Sequence, residues 1–156
     1  MDKDVTKDLR NHYAQTGLNK ADLDPNPLNQ FKNWFEDAVD ANLFEPSAAC
    51  LATATIQGQS SARTVLLKGV DTRGFLFFSN YESRKAQELS QNPQAALVVA
   101  WIELGRQICV SGKVSRISKD ESTKYFNTRP IGSQLSAWAS PQSEIINNRQ
   151  ILEKRW

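Results

Sequence analysis

From residue 48 onward the apolar residues lose helical spacing and gather into short runs, most of them separated by turns too brief for a crossover. Residues 49–55, 62–70 and 75–79 read as three strands, joined by Gln57-Gly58-Gln59 and by Asp71-Thr72-Arg73-Gly74. Residues 95–101 read as a fourth strand and 107–117 as a longer fifth. Between the third and fourth, Ser83 is placed to cap a short helix that ends near Asn92-Pro93. Strands this short and numerous favour a small barrel, which hides its edges by closure. Helices flank it. Val5, Leu9 and Tyr13 form a weak stripe stopped by Gly17, and Asn26 with Pro27 opens a helix whose buried stripe is Leu28, Phe31, Phe35 and Val39, with Trp34 beside it. Ser118-Lys119-Asp120-Glu121 matches a capping box, Arg129-Pro130 interrupts the helix it opens, and residues 143–156 look helical again. The expected class is α+β, an antiparallel barrel with flanking helices.

Length and composition set the outer bounds. At 156 residues the chain is about one domain, read as 1–156 with residues 1–25 as a mobile N-terminal segment. With 40% hydrophobic and 23% charged residues it is an ordinary globular sequence, neither disordered nor a disulfide scaffold. Its longest apolar run, 95–102, falls short of the roughly 18 to 20 residues of a membrane helix. Met1-Asp2-Lys3-Asp4 leads into no apolar stretch, so no secretory signal is expected. A net charge of +2 argues against a nucleic-acid coat. The single histidine, His12, argues against zinc sites and histidine-based triads. Cys50 and Cys109 lie in strand-like runs and are expected as buried free thiols in a reducing cytoplasm, although the sequence leaves a disulfide between them open.

Some nucleotide motifs fail on spacing. Between Gly105 and Gly112-Lys113 the gap is six residues and Val114 follows, so there is no P-loop, and no Gly-x-Gly-x-x-Gly occurs. Other motifs survive. Arg63-Thr64-Val65-Leu66-Leu67-Lys68 carries a cation at each end of an apolar strand. By alternation the two face opposite sides unless a bulge intervenes, so one points inward, where a cation needs an anion. Ser79-Asn80-Tyr81-Glu82-Ser83-Arg84-Lys85 joins a strand to a helix start. Cations are disfavoured in a first helical turn, and a bound phosphate would relieve Arg84 and Lys85. Tyr125, Arg129 and Ser133 recur every four residues and offer a phenol, a guanidinium and a hydroxyl to a second phosphate. Gln107, and Gln142 beside Ser143, offer amides that suit the edge of a heteroaromatic ring. Each motif also has a plain structural reading: strand-end charges, a solvated helix start, a snorkelling arginine, an ordinary cap. Together they suit a cofactor that carries its own chemistry, since acid–base residues are few.

The ordered series Arg63 to Lys68, Phe77-Phe78-Ser79-Asn80, Ser83-Arg84-Lys85-Ala86, Arg106-Gln107, Lys124-Tyr125-Phe126, Arg129-Pro130, Ser133-Gln134 and Gln142-Ser143 resembles the pyridoxamine 5′-phosphate oxidase family. The resemblance implies an FMN-binding split β-barrel working as a homodimer with FMN at the subunit interface. It implies oxidation of pyridoxamine or pyridoxine 5′-phosphate to pyridoxal 5′-phosphate, with O2 as acceptor and hydrogen peroxide as by-product. By that likeness Arg63, Thr64, Val65, Leu66, Leu67, Lys68, Phe78, Ser79, Arg84, Lys85, Gln107, Gln142 and Ser143 would contact FMN. Lys68, Tyr125, Arg129 and Ser133 would hold the substrate phosphate, and Arg10 and Tyr13 match a segment that folds over the substrate. Phe78 stands where a tyrosine is common. The family's C-terminal strands, with their further FMN and substrate residues, find no match in this chain. Two other readings stay open: a non-catalytic flavin-binding split barrel, and an anion-binding module that takes up no flavin.

Overall fold

The computed structural model describes residues 17–156. After a 3-10 turn at Lys20–Asp22, helix α1 runs over Pro27–Asp40. Its start is fixed as expected: the Asn26 side chain accepts from the Leu28 N–H at 2.9 Å, and Pro27 occupies the first turn. Its buried stripe is Phe31, Trp34, Phe35 and Ala38. Val39, expected inside, is 47% exposed, because Ala38 takes the inward position in the last turn. Phe31 meets Phe75 edge to face with centroids 4.8 Å apart and lies 5.8 Å from the Trp101 ring. Burying one such side chain contributes about 1.5–3 kcal/mol.

Five antiparallel strands follow: β1 Ala48–Ala54, β2 Ser60–Asp71, β3 Gly74–Phe77, β4 Gln94–Trp101 and β5 Arg106–Lys113. They form one curled sheet in the order β3-β2-β1-β4-β5. Gly74, at φ +127°, makes the tight return from β2 to β3. The core face carries Ala49, Leu51, Val65, Leu67, Leu97, Val99 and Trp101, and the Trp101 indole donates to the Pro46 carbonyl at 3.0 Å. Among the described residues β3 and β5 do not pair, so the five strands make an open half-barrel rather than the closed barrel expected.

Helices α2 Arg84–Gln91, α3 Lys119–Thr128, α4 Ile131–Ala139 and α5 Gln150–Arg155 complete the chain. Ser118 caps α3 through the Glu121 N–H, while the Glu121 carboxylate pairs with Arg73, which also holds Asp71. These contacts tie the β2–β3 turn to α3. Three expectations are corrected. Strand β5 ends at Lys113, not residue 117. The last helix begins at Gln150, not residue 143, because Ser143 has a left-handed φ of +72° that a helix start does not accept. Both cysteines are exposed: pairing Cys50↔Val98↔Cys109 puts them on the outward parity of the sheet. With β4 between them they lie about 10 Å apart, beyond the ~7 Å a disulfide spans.

Candidate functional site

Strand β3 pairs only with the second half of β2, from Leu67↔Phe77 to Asp71↔Gly74. The first half therefore has β1 on one side and, among the described residues, no strand on the other. At this open edge lies a pocket of about 340 Å3 lined by Ser61, Ala62, Arg63, Thr64, Arg84, Lys85, Gln142 and Ser143. Residues of both parities line it because the site lies along the strand's edge rather than on one face. Six of the predicted cofactor contacts, from three separate stretches of sequence, meet here.

The alternation of β2 decides which cation turns inward. Arg63, Val65 and Leu67 share the core side, and Thr64, Leu66 and Lys68 the outer one. Lys68 sits at a bulge, where the register with β3 shifts between Leu67 and Gly69. Val65 and Leu67 have side chains in the core, so only their backbone can reach a ligand. Arg63 finds its anion in Glu88 of α2, at 3.4 Å, and also donates to Thr53 Oγ1 and Ser61 Oγ at 2.5 Å and to the Leu51 carbonyl at 3.1 Å.

Glu88 is the residue that sequence reasoning missed, together with Thr53 and Ser61. It is 4% exposed and works with both oxygens. Oε2 accepts from Ser61 at 2.6 Å, from Thr53 and from Arg63, and Oε1 accepts from Arg84 Nε at 2.8 Å. Burial pushes this carboxyl up, but the hydrogen bonds from Ser61, Thr53 and Arg84 and the Arg84 charge outweigh it and hold it at about 2. Two signals were available: Glu88 stands one helical turn after Arg84, and Ser61 shares a strand face with Arg63.

Arg84 thus meets a carboxylate within its own helix, but Lys85 does not. Lys85 is 7% exposed, and its ammonium donates to Ser79 Oγ at 3.0 Å, Ser83 Oγ at 3.2 Å and Gln142 Oε1 at 3.0 Å. All three acceptors are neutral. Burial first, and then the Arg63 charge, lower its pKa below the usual lysine value. The Ser83 hydroxyl, expected to cap α2, makes no cap bond; it donates to the Asn80 carbonyl and receives Lys85 instead. Among the described residues, three cations and one carboxylate leave an excess of two positive charges around the pocket. That excess, at a helix N-terminus, fits a phosphate monoester dianion.

The second group is less gathered. Tyr125 stacks on Phe78, joining α3 to the loop after β3. Arg129, extended at the break between α3 and α4, lies 5.8 Å over the Phe126 ring, and Ser133 sits in the first turn of α4. Among the described residues no hydrogen bond joins Lys68, Tyr125, Arg129 and Ser133 to one another. Gln107 stands on β5, three strands from β2 and so roughly 14 Å away, and is not part of this pocket. Arg10 and Tyr13 lie outside the described residues. No helix among the described residues is long and apolar enough to cross a membrane.

An open-edged antiparallel half-barrel with a cationic pocket at that edge belongs to the FMN-binding split-barrel class of folds. A solved FMN-binding protein from Nostoc punctiforme, pyridoxamine 5′-phosphate oxidase-related, shares it with a TM-score of 0.64 at 17% identity, over 84% of this chain and 73% of its own. PhzG from Burkholderia lata, solved with tetrahydrophenazine-1-carboxylic acid, superposes with a TM-score of 0.86 at 30% identity, over 92% of this chain and 72% of its own. The sequence profile described as Pyridoxamine 5′-phosphate oxidase matches residues 35–155. A pyridoxine/pyridoxamine 5′-phosphate oxidase from Nostoc sp. is 55% identical over 99% of this chain and 72% of its own length. One from Paraburkholderia phymatum is 55% identical over 95% and 70%. The chain belongs to the pyridoxamine 5′-phosphate oxidase family.

Proposed function

We propose that the chain binds FMN and oxidises pyridoxamine 5′-phosphate or pyridoxine 5′-phosphate to pyridoxal 5′-phosphate, with O2 as acceptor and hydrogen peroxide as by-product. The observation that carries this reading is Lys85, a buried cation whose partners among the described residues are all neutral, in a pocket that also holds Arg63 and Arg84. A buried charge is stable only when compensated, and a phosphate supplies what the protein omits. Arg63, Arg84, Lys85, Ser79, Gln142 and Ser143 would hold the FMN phosphate, and the edge of β2 that β3 leaves uncovered, residues 63–66, would present backbone groups to the flavin ring. Bound FMN supplies the two-electron chemistry. The chain's own residues supply position: Lys68, Tyr125, Arg129 and Ser133 grip the substrate phosphate, and fixed geometry accounts for much of the rate.

The working form is proposed to be a cytoplasmic homodimer. Gln107 is too distant to serve the pocket of its own chain, so a role at the flavin requires a second copy. The middle of the outer sheet face, around Cys50, Thr64, Leu66 and Cys109, is exposed and uncharged, with Lys68 and Lys113 toward its ends, which suits such contact.

The test is a visible spectrum after FMN addition, followed by oxygen uptake with pyridoxamine 5′-phosphate. Flavin uptake with turnover supports the oxidase. Flavin uptake without turnover favours a non-catalytic flavin binder, and a colourless protein favours an anion-binding module. The likeness to PhzG favours one further reading, a reduced-ring carboxylate as substrate; oxygen uptake with that compound and none with the vitamer phosphates would support it.

A further inference from the structure

We propose that Glu88 is the positioning residue of the phosphate pocket: one carboxylate, shared between Arg63 on β2 and Arg84 on α2, sets the direction of both guanidinium groups. The proposal rests on the reading of this pocket as the FMN phosphate site. Glu88 Oε1 takes the Nε of Arg84, which leaves the two terminal amino groups of Arg84 with no protein acceptor among the described residues, beside a pocket that Arg84 lines. Glu88 Oε2 takes Arg63 together with the Ser61 and Thr53 hydroxyls, and those hydroxyls accept in turn from Arg63. The arginine is thus held at both terminal nitrogens and cannot swing out of the strand's core face.

A negative charge beside an anion site repels the ligand, and an apolar side chain would fill the same buried space at less electrostatic cost. What Glu88 offers in return is geometry. A carboxylate accepts at both oxygens, whereas an amide accepts at one and donates at the other. Hydroxyls can rotate to meet a donor, but a guanidinium cannot accept. With Gln at this position, one of the two arginines faces an N–H group and loses its fixed direction.

The experiment compares FMN with riboflavin, which carries the same ring and no phosphate, by quenching of flavin fluorescence. Glu88→Gln is expected to weaken FMN about tenfold, the scale of one charge-assisted hydrogen bond, and to leave riboflavin unchanged. Glu88→Asp keeps the charge one methylene short and recovers part of the loss. If Glu88→Gln fails to fold, Glu88→Asp carries the same comparison: FMN weaker than in the wild type, riboflavin equal. Equal losses for FMN and riboflavin would mean that Glu88 merely supports the fold, and would overturn the proposal. So would wild-type FMN affinity in both variants. A wild-type protein that takes up no FMN overturns the reading of the pocket, and this proposal with it.

Discussion

Phe78 and Tyr125 lie face to face, with ring centroids 3.6 Å apart and planes 9° from parallel. The stack couples a loop that leads into the cationic pocket to the helix proposed to hold the substrate. Tyr125→Phe preserves it and removes only the hydroxyl. The melting temperature should therefore stay at the wild-type value while KM for pyridoxamine 5′-phosphate rises about tenfold, the scale of one hydrogen bond to a charged group. Tyr125→Ala should also lose about 0.5–1.5 kcal/mol of stacking. A wild-type KM in Tyr125→Phe would remove this residue from the substrate site.

Lys85 predicts opposite signs for stability and binding. Among the described residues no carboxylate stands beside this desolvated ammonium, so Lys85→Met should hold or raise the melting temperature of the apoprotein. The same change should weaken FMN by about 2–3 kcal/mol. Because the folded state lowers this lysine's pKa, its share of stability increases as pH rises. A melt and a flavin titration on one preparation check both signs; a variant that melts lower and still binds FMN as the wild type does would refute the assignment.

Acid should act through Glu88. Its carboxyl is held at about 2 in the folded chain, below the roughly 4.3 of an unfolded glutamate. A group lowered in this way stabilises the fold above the unfolded value, and that contribution fades as pH falls toward 2. Urea midpoints measured from pH 5 downward should fall in the wild type and fall less steeply in Glu88→Gln. Parallel curves would show that this carboxyl is not linked to folding.

Arg129 stands at the break between α3 and α4, with its guanidinium over Phe126. Arg129→Ala should cost about 0.5–1 kcal/mol of stability through the lost cation–π contact. It should raise KM by roughly 2–3 kcal/mol through the lost phosphate contact. Steady-state kinetics beside a melt separate the two effects, and unchanged kinetics would confine Arg129 to the fold.

What could be read from the sequence follows from how local its cause is. Asn26 and Ser118 announce helix starts because a cap is a contact between near neighbours. The strands were legible because alternation is a property of the chain itself, and the same alternation correctly required Arg63 and Lys68 to face apart. Which of them turned inward, and onto what, was not legible, because Glu88 reaches Arg63 only after α2 folds back over β1. Cys50 and Cys109 misled for a related reason: an apolar neighbourhood in sequence does not say which face of the sheet is covered. The gathering of Arg63, Arg84, Lys85 and Gln142 came from family likeness rather than from periodicity, since those residues share no local rule.

The brevity of β3 has a consequence beyond chemistry. By stopping at Phe77 it leaves the first half of β2 with β1 on one side and, among the described residues, no strand on the other, and a row of unpaired peptide groups is a template on which a foreign strand can grow. Under the proposed function, a flavin ring that settled there would stand in for a strand. Flavin supply would then bear not only on turnover but on how long the polypeptide stays dispersed.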